Sequence, residues 1–235
     1  MAEPFSSPYY PYKRVVKSNQ LKGAELIPYK VLHYLLDLPD SAGYTPPDNN
    51  DYPRCRLAKY LWYDDANPLQ NPLPTPQEKL SMLFDPNNPA ANTDEDKQNH
   101  PKGYRLFAQR NVSESVLEAK TILKVYPGRI LDNDDFRTIL GFQMEIWTNT
   151  DLITNTKTTA YDRTFDIEQC VREAMAGVDL GGIGTVRFSR QDGSFNGSEI
   201  LYTDSGTMGG RILYFSVAWS DSGAGKLNAF NINSI

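Results

Sequence analysis

The chain has 235 residues, of which 40% are apolar and 11% aromatic, and a formal net charge of −5 at pH 7. A chain of this size can bury a substantial core, as one domain or as one domain with a long extension. The acidic balance argues against a broad duplex-binding face, because neutralising phosphates requires clustered Lys and Arg. No apolar run approaches the ~20 residues that cross a bilayer, and the start has no leader-like pattern. We therefore expect a protein kept in a cytosol, or in something assembled there.

The composition changes near residue 102. Fifteen of the sixteen prolines lie at or before Pro101, and fourteen of the sixteen glycines lie at or after Gly103. Proline fixes φ and removes a ladder donor, so the first part is predicted to hold extended segments and short helices. Disorder is the alternative for such an arm, but it carries twelve of the 27 aromatic residues. We predict an arm over 1–101, docked on its own or a neighbouring subunit, and an α+β domain over 102–235.

Two short helices are predicted inside the arm. Pro28–Asp37 begins with a proline suited to a first helical turn and is followed by Pro39. Thr75–Glu78 forms a capping box that leads into a second helix. The segment Arg54–Tyr63 fits a helix or a strand equally well. Asn87–His100 is polar and is predicted to be a solvated loop.

The second part is predicted to be a mainly antiparallel sheet with one packed amphipathic helix. The predicted strands are Leu123–Ile130, Leu140–Trp147, Thr185–Ser189, Glu199–Thr203 and Arg211–Trp219. Thr148–Thr159 is predicted to be a long connection, and Asp192-Gly193 and Gly209-Gly210 to be turns. The last strand is apolar on both faces, so we expect it to lie centrally or to be covered by another subunit.

Four glycines within Gly177–Gly184 resemble a phosphate-binding loop. Such a loop requires the order strand, glycines, helix, because the unpaired N–H groups lie at a helix N-terminus. Here a helix over Asp166–Gly177 comes first, and its apolar residues share one face. The glycines therefore meet the negative end of the helix dipole, and Gly177 is expected as a left-handed helix cap.

No catalytic set is evident, and we expect a protein that is not an enzyme. The chain has two histidines, His33 and His100, and neither belongs to a recognisable nucleophile motif. Cys55 and Cys170 are far apart and lack metal-ligand spacing, so they are predicted to be reduced, packed thiols. No metal or cofactor is predicted.

The tightest carboxylate group consists of Asp132, Asp134 and Asp135. It has some calcium-loop character but lacks the sixth-position glycine and distal Glu of an EF-hand. A solvated turn is the favoured interpretation. A hydrolase or nuclease that uses these aspartates is kept as an alternative function.

Aromatic and basic residues are predicted to contact partners. The candidate interaction residues are Tyr9, Tyr10, Tyr12, Lys13, Arg14, Tyr60, Trp62, Tyr63, Trp147 and Trp219. The first thirty residues hold five basic and two acidic side chains, which fits contact with nucleic acid, contact with an acidic neighbour, or simply a soluble terminus. A carbohydrate- or protein-binding β module that uses Tyr60, Trp62 and Tyr63 is a further alternative.

The order of elements over Thr121–Ser220 resembles that of the tail-terminator and neck-ring proteins of tailed bacteriophages. The resemblance rests on a long strand, a polar connection, one amphipathic helix, a strand, a turn and a closing strand. It implies a structural virion protein whose helix packs across one sheet and whose copies form a homo-oligomeric ring, expected to be a hexamer. It also implies that the partners are tail-tube and head-connector proteins, with transient contact to passing DNA and no contact with a membrane. The implied location is the tail or neck of the virion, after assembly in the host cytoplasm. The proline-rich first hundred residues depart from a compact terminator, so another neck or connector subunit, with sixfold or twelvefold symmetry, stays open.

A physical argument agrees with this resemblance. One helix covers only one face of a sheet of four or five strands, so the other face needs further cover. Head-to-tail contacts close into a ring when the rotation permits. We therefore expect residues 1 to ~100 to lie over an adjacent copy and hold the ring shut.

Overall fold

The computed structural model describes residues 24–38, 47–85, 98–110, 121–132, 138–155, 162–179, 185–188, 198–202 and 207–219. Its sheet has five strands in the order β1-β2-β3-β5-β4. The strands are β1 Leu106–Phe107, β2 Thr121–Asp132, β3 Thr138–Asn149, β4 Ser198–Tyr202 and β5 Met208–Trp219. The short β1 runs parallel to β2, and the other pairs are antiparallel. The predicted α+β fold is confirmed.

Among the described residues, three helices precede the strands along the chain, and two lie between β3 and β4. They are α1 Ile27–Leu36, α2 Pro53–Trp62, α3 Pro76–Ser81, α4 Thr150–Asn155 and α5 Arg163–Met175. Short 3₁₀ turns occupy Ala24–Leu26 and Pro68–Gln70. The segment Arg54–Tyr63, which fitted a helix or a strand, is therefore helical.

The local signals act as the sequence predicts at α1 and α3. The Thr75 N–H donates to Glu78 Oε2 at 2.7 Å, and the Glu78 N–H donates to Thr75 Oγ1 at 3.3 Å, so the capping box is confirmed. Helix α1 ends at Asp37, which adopts φ 51 and donates its N–H to the Tyr34 carbonyl at 3.1 Å. Asp tolerates this left-handed conformation better than most residues do.

Helix α5 begins with a side-chain cap and ends at Ala176, which is extended. The Asp162 carboxylate accepts the Phe165 N–H at 2.8 Å. Beyond the C-terminus, Gly177 has φ +76 and donates its N–H to the Val186 carbonyl at 3.1 Å. The predicted left-handed glycine is confirmed, and it turns the chain from the helix toward an extended segment at 185–188. Residues 180–184 lie outside the described part.

Three predictions about connections differ from the structure. The expected connection Thr148–Thr159 begins with the end of β3 and helix α4. The predicted turn at Gly209-Gly210 is wrong, because both glycines pair within β5. An added Cβ on Gly210 would lie 2.2 Å from the Ile146 carbonyl oxygen, so this glycine permits close strand approach. In the predicted strand Thr185–Ser189, Thr185 and Arg187 form isolated bridges only. Asp192-Gly193 lies outside the described residues.

Helices α1, α2 and α5 pack on one face of the sheet, which we call the helix-covered face. Its apolar side chains alternate along three strands and belong to one core with the helices. The residues that β2, β3 and β5 contribute to this core are Leu123, Val125, Leu140, Phe142, Met144, Ile146, Leu213, Phe215 and Val217, and β1 adds Leu106. Strand β5 lies between β3 and β4, which confirms its predicted internal position.

The docking of the proline-rich part differs from one expectation. Helices α1 and α2 bury Val31, Leu32, Leu35, Leu57 and Leu61 in the same core as the sheet of their own chain. The expectation that this part lies over an adjacent copy is therefore wrong for α1 and α2. Hydrophobic burial against the nearest apolar face decides their position. Residues 1–23 lie outside the described part.

Candidate interaction surface

The opposite face of the sheet, which we call the second face, is built from cross-strand rows. Alternation along β2, β3 and β5 places every second side chain there. The aligned residues are Ile122, Trp147 and Gly210 in the first row, Lys124, Glu145 and Ile212 in the second, and Tyr126, Gln143 and Tyr214 in the third. Aromatic, charged and amide groups therefore alternate with apolar ones across the face.

Glu145 lies at the centre of the second face and organises its polar groups. The Tyr126 hydroxyl donates to Glu145 Oε1, and the Trp147 Nε1–H donates to Glu145 Oε2 at 2.8 Å. Burial raises the pKa of Tyr126, and the neighbouring Glu145 carboxylate raises it further. Burial lowers the pKa of Lys124, which is directly opposite Glu145, while the attraction of that carboxylate acts against the shift.

Trp147 and Gly210 fit each other within the first row. A Cβ on Gly210 would lie 3.2 Å from Trp147 Cε3, so the indole covers the glycine position. The covered glycine leaves no side chain between the ring and the sheet. This arrangement fixes the ring orientation while Trp147 remains half-buried.

A cavity of about 500 Å³ opens beside Tyr126, and we call it the Tyr126 pocket. It lies where the chain leaves β1, next to a register shift between Pro127 and Ile130 in β2. Its lining consists of Ala108, Gln109, Arg110, Tyr126, Pro127, Gly128 and Gln143. The Arg110 guanidinium carbon lies 6.0 Å from the centre of the Tyr126 ring.

The helix-covered side holds a different polar feature, in which two buried arginines bind the C-terminal end of α2. Arg163 donates to the carbonyls of Tyr60 at 2.7 Å and of Asp65 at 3.1 Å, and it also donates to the Tyr63 carbonyl. Cations are favoured at this end of a helix because the final carbonyls are unpaired and the dipole is negative there. Burial lowers the pKa of Arg163 to about 10, so the group remains charged at neutral pH.

Arg105 completes this arrangement, which we call the arginine clamp. It donates to the Leu61 carbonyl at 2.6 Å and binds both carboxylate oxygens of Asp64, at 2.8 and 2.5 Å. A bidentate pair of this kind fixes orientation as well as supplying energy. The clamp joins the proline-rich part to both β1 and α5, so it is a structural element of the fold.

The predicted aromatic site of α2 is placed in the core. Tyr60 is 1% exposed and donates its hydroxyl to Asp166 Oδ2 at 3.3 Å, and Trp62 is 6% exposed. Tyr63 is half-buried and donates to the Pro72 carbonyl at 3.0 Å. A surface aromatic site for a carbohydrate-binding module is therefore not formed by Tyr60 and Trp62. Helical periodicity buries one side of α2 against α5, which the ambiguous sequence pattern did not reveal.

Most of the other predicted interaction residues lie outside the described part of the structure. Trp147 lies on the second face, as described above. The backbone of Trp219 ends β5, and its side chain lies outside the described part. Tyr9, Tyr10, Tyr12, Lys13 and Arg14 also lie outside it, and their contacts stay predictions.

The candidate catalytic residues do not converge among the described residues. His33 lies on α1, and burial lowers its pKa. His100 Nδ1 contacts the Ser81 carbonyl. The backbone of Asp132 ends β2, whereas Asp134 and Asp135 lie outside the described part, so the carboxylate alternative is not tested. Within the described ranges, no cluster of three or more His, Cys, Asp or Glu residues is arranged to hold a metal ion.

The cysteines have the predicted character. Cys55 and Cys170 are both free and buried. Burial raises the pKa of the Cys170 thiol to about 12, so it stays protonated at neutral pH. Neither thiol belongs to a metal or redox pair in the described structure.

The most informative residues of the second face were missed at the level of sequence. Glu145, Tyr126, Lys124 and Arg110 belong to no motif, and their pairing depends on strand register. The more polar side of the alternating segment Leu140–Trp147 was visible. That alternation locates Glu145 on a face, but the sequence does not show which residues of β2 lie opposite it.

Comparisons with known proteins show no family for this chain. No family model matches it, and no curated protein matches it. Among solved structures, a chain from the virion of a native gene transfer agent (GTA) particle is similar at 12% identity, with a TM-score of 0.34. That similarity covers 56% of this chain and 88% of the other, and it is too weak for a role to be carried across. Separately, none of the helices in the described ranges is long and apolar enough to cross a membrane.

Proposed function

We propose that this chain is a structural virion protein of a phage-like particle, a tail-terminator or neck subunit. Its copies form a homo-oligomeric ring, with six as the expected number, that joins a tail tube to a head connector. The observation that carries this proposal is the order β3, α4, α5, β4, β5 with α5 packed across one face of the sheet. The sequence resemblance to terminator and neck proteins rests on the same order, with α4 lying in the predicted polar connection.

The two-faced sheet supports an assembly role. Helices of the same chain cover one face, so that face is satisfied within the subunit. The second face instead carries half-buried Trp147 and Tyr214 beside charged and amide groups. Aromatic residues with a polar tip are enriched where proteins meet other proteins. The second face is therefore the candidate contact surface between copies or with ring partners.

The N-terminal residues are proposed as a second contact. Helix α1 begins at Ile27 and is docked on its own chain, so an arm that reaches a neighbour is restricted to 1–23. Tyr9, Tyr10 and Tyr12 supply aromatic anchors, and Lys13 and Arg14 supply charge for an acidic neighbour. Extended, 23 residues span up to ~80 Å, which is enough to cross to an adjacent subunit.

The mass of the purified full-length chain tests the proposal. Native mass measurement over a range of concentrations should give one closed species with a fixed number of copies, since ring closure limits growth. Sixfold mass is expected. A chain that stays monomeric at every concentration contradicts the proposal.

A shortened chain separates the arm from the ring. Removing residues 1–23 should weaken the oligomer while leaving helix and sheet signals in circular dichroism unchanged. An unchanged oligomer with an intact fold contradicts the role of the arm and leaves the ring itself standing. Circular dichroism shows whether the shortened chain has unfolded. If it has, the point variants Tyr9→Ala and Tyr12→Ala are made in the full chain. The same weakening of the oligomer is expected for them.

A further inference from the structure

The Tyr126 pocket lies at a strand edge that is unsuited to strand addition. Beyond its pairing with β1 at Leu123 and Lys124, the edge of β2 carries Pro127, which has no N–H to donate. The register shift between Pro127 and Ile130 further breaks the ladder. Both features are devices that prevent edge-to-edge pairing. A group that enters this pocket is therefore recognised by side chains and not as an added strand.

The lining side chains of the pocket are rich in hydrogen-bond donors. Gln109 and Gln143 each carry an amide NH₂, and Arg110 carries a planar fork of five N–H groups. The Tyr126 hydroxyl is already directed at Glu145. Donors in this geometry match the two oxygens of a carboxylate, which accept bidentate hydrogen bonds.

The charges around the pocket also favour a carboxylate. The Arg110 guanidinium carbon lies 6.0 Å from the centre of the Tyr126 ring, and the pKa of Lys124 is lowered by burial and, to a smaller extent, by the Arg110 charge. The nearby Glu145 opposes these two cations, but its two oxygens already accept hydrogen bonds from Tyr126 and Trp147. The pocket thus has a net positive environment on a chain whose net charge is −5. A positive pocket on one copy attracts an acidic side chain on another.

We propose that the Tyr126 pocket binds an acidic side chain from a neighbouring copy of this chain. Arg110 supplies the bidentate contact, and Gln109 and Gln143 supply the remaining donors. This inference rests on the proposed ring, because it needs a second copy, and it gives that ring one specific contact. The chain has 29 acidic residues from which such a carboxylate can come.

Charge reversal at the pocket tests the inference. Arg110→Glu should raise the dissociation constant of the oligomer at least about tenfold, and Arg110→Lys should lie between it and the unchanged chain, because lysine keeps the charge but loses the fork. Arg187→Glu is the matched control. Arg187 is also exposed, and it lies beside β5, toward the edge of the sheet opposite to β1. Sedimentation at several salt concentrations measures each constant.

The outcomes separate the inference from the proposed ring. If the unchanged chain is oligomeric and Arg110→Glu associates as strongly as Arg187→Glu, the pocket contact is wrong and the ring stands. A monomeric unchanged chain overturns the ring and this contact together. If Arg110→Glu leaves association unchanged but lowers the affinity for a fluorescent DNA duplex, the pocket binds phosphate and the inference is overturned. Selective loss of association with unchanged circular dichroism supports it.

Discussion

The two faces of one sheet differ in how far their own chain covers them. On the helix-covered face, Phe142 and Phe215 stack with ring centres 5.2 Å apart in a mainly apolar layer closed by helices. On the second face, Glu145 binds Tyr126 and Trp147 in a polar and aromatic layer. Because successive side chains alternate, each strand contributes to both layers. The helix-covered face is closed within the subunit, whereas the second face packs its Ile122 end against Tyr104 and Phe107 and leaves Trp147 and Tyr214 half-buried.

The largest expected effect is on the helix-covered face. Phe215→Ala should lower the free energy of unfolding by about 3–5 kcal/mol, because Phe215 is 1% exposed and its removal leaves a cavity beside Phe142. Its strand neighbour Tyr214, on the second face, is half-buried, so Tyr214→Ala should cost about 1 kcal/mol. Urea unfolding of both variants measures the difference. Equal losses would contradict the division of roles between the faces.

Adjacent glycines allow a finer comparison of the faces. Gly210→Ala should lower the free energy of unfolding by about 3 kcal/mol, since its Cβ would lie 2.2 Å from the Ile146 carbonyl oxygen. Gly209→Ala is the matched control, because its Cβ would meet only the end of the flexible Ile153 side chain, at 2.9 Å. Thermal unfolding gives both values. If Gly209→Ala lowers the free energy of unfolding more than Gly210→Ala does, the close strand approach at Gly210 is wrong.

The smallest expected effect concerns the charge of Glu145. Glu145→Gln should cost about 1 kcal/mol of unfolding free energy, because one hydrogen bond is weakened. It should also bring the raised pKa of Tyr126 closer to its usual value, since the carboxylate no longer disfavours the phenolate. A group with a raised folded pKa stabilises the protein below its unfolded pKa and loses that contribution as pH rises. The loss of stability above about pH 10 should therefore be smaller in Glu145→Gln than in the unchanged chain.

Ultraviolet absorbance of tyrosinate, with Tyr126→Phe to assign the signal, measures this shift. A Tyr126 pKa that is the same in both proteins would show that Glu145 does not control the phenol. In that case the hydrogen bond from the Tyr126 hydroxyl to Glu145, and not only the charge, would have to be questioned.

Local chemistry was readable from the sequence, and long-range pairing was not. The capping box at Thr75–Glu78 and the left-handed Gly177 depend on neighbours in the chain, so both were predicted correctly. Gly209-Gly210 was predicted as a turn because a glycine pair usually marks one, but the close approach of β3 decides its conformation. The row joining Lys124, Glu145 and Ile212 depends on the register of three strands, which no local pattern specifies.

Burial was the second property that the sequence left undecided. The segment Arg54–Tyr63 fitted a helix or a strand, so Tyr60 and Trp62 were equally consistent with surface anchors and core residues. Their burial follows from the packing of α2 against α5, two elements about a hundred residues apart. A contact of this range becomes visible only in the folded chain.

The arginine clamp determines how far the chain can be trimmed. Arg105 and Arg163 have their acceptors on Leu61, Asp64, Tyr60 and Asp65, all within or just after α2. A fragment that starts at Gly103, where the composition changes, would lose these oxygen atoms and also the helices α1 and α2 that cover the apolar face of the sheet. Exposing that apolar face and removing the acceptors of both guanidiniums strongly disfavour folding. The smallest autonomous folding unit therefore starts upstream of Pro53, and the compositional border is not a place at which the polypeptide can be cut.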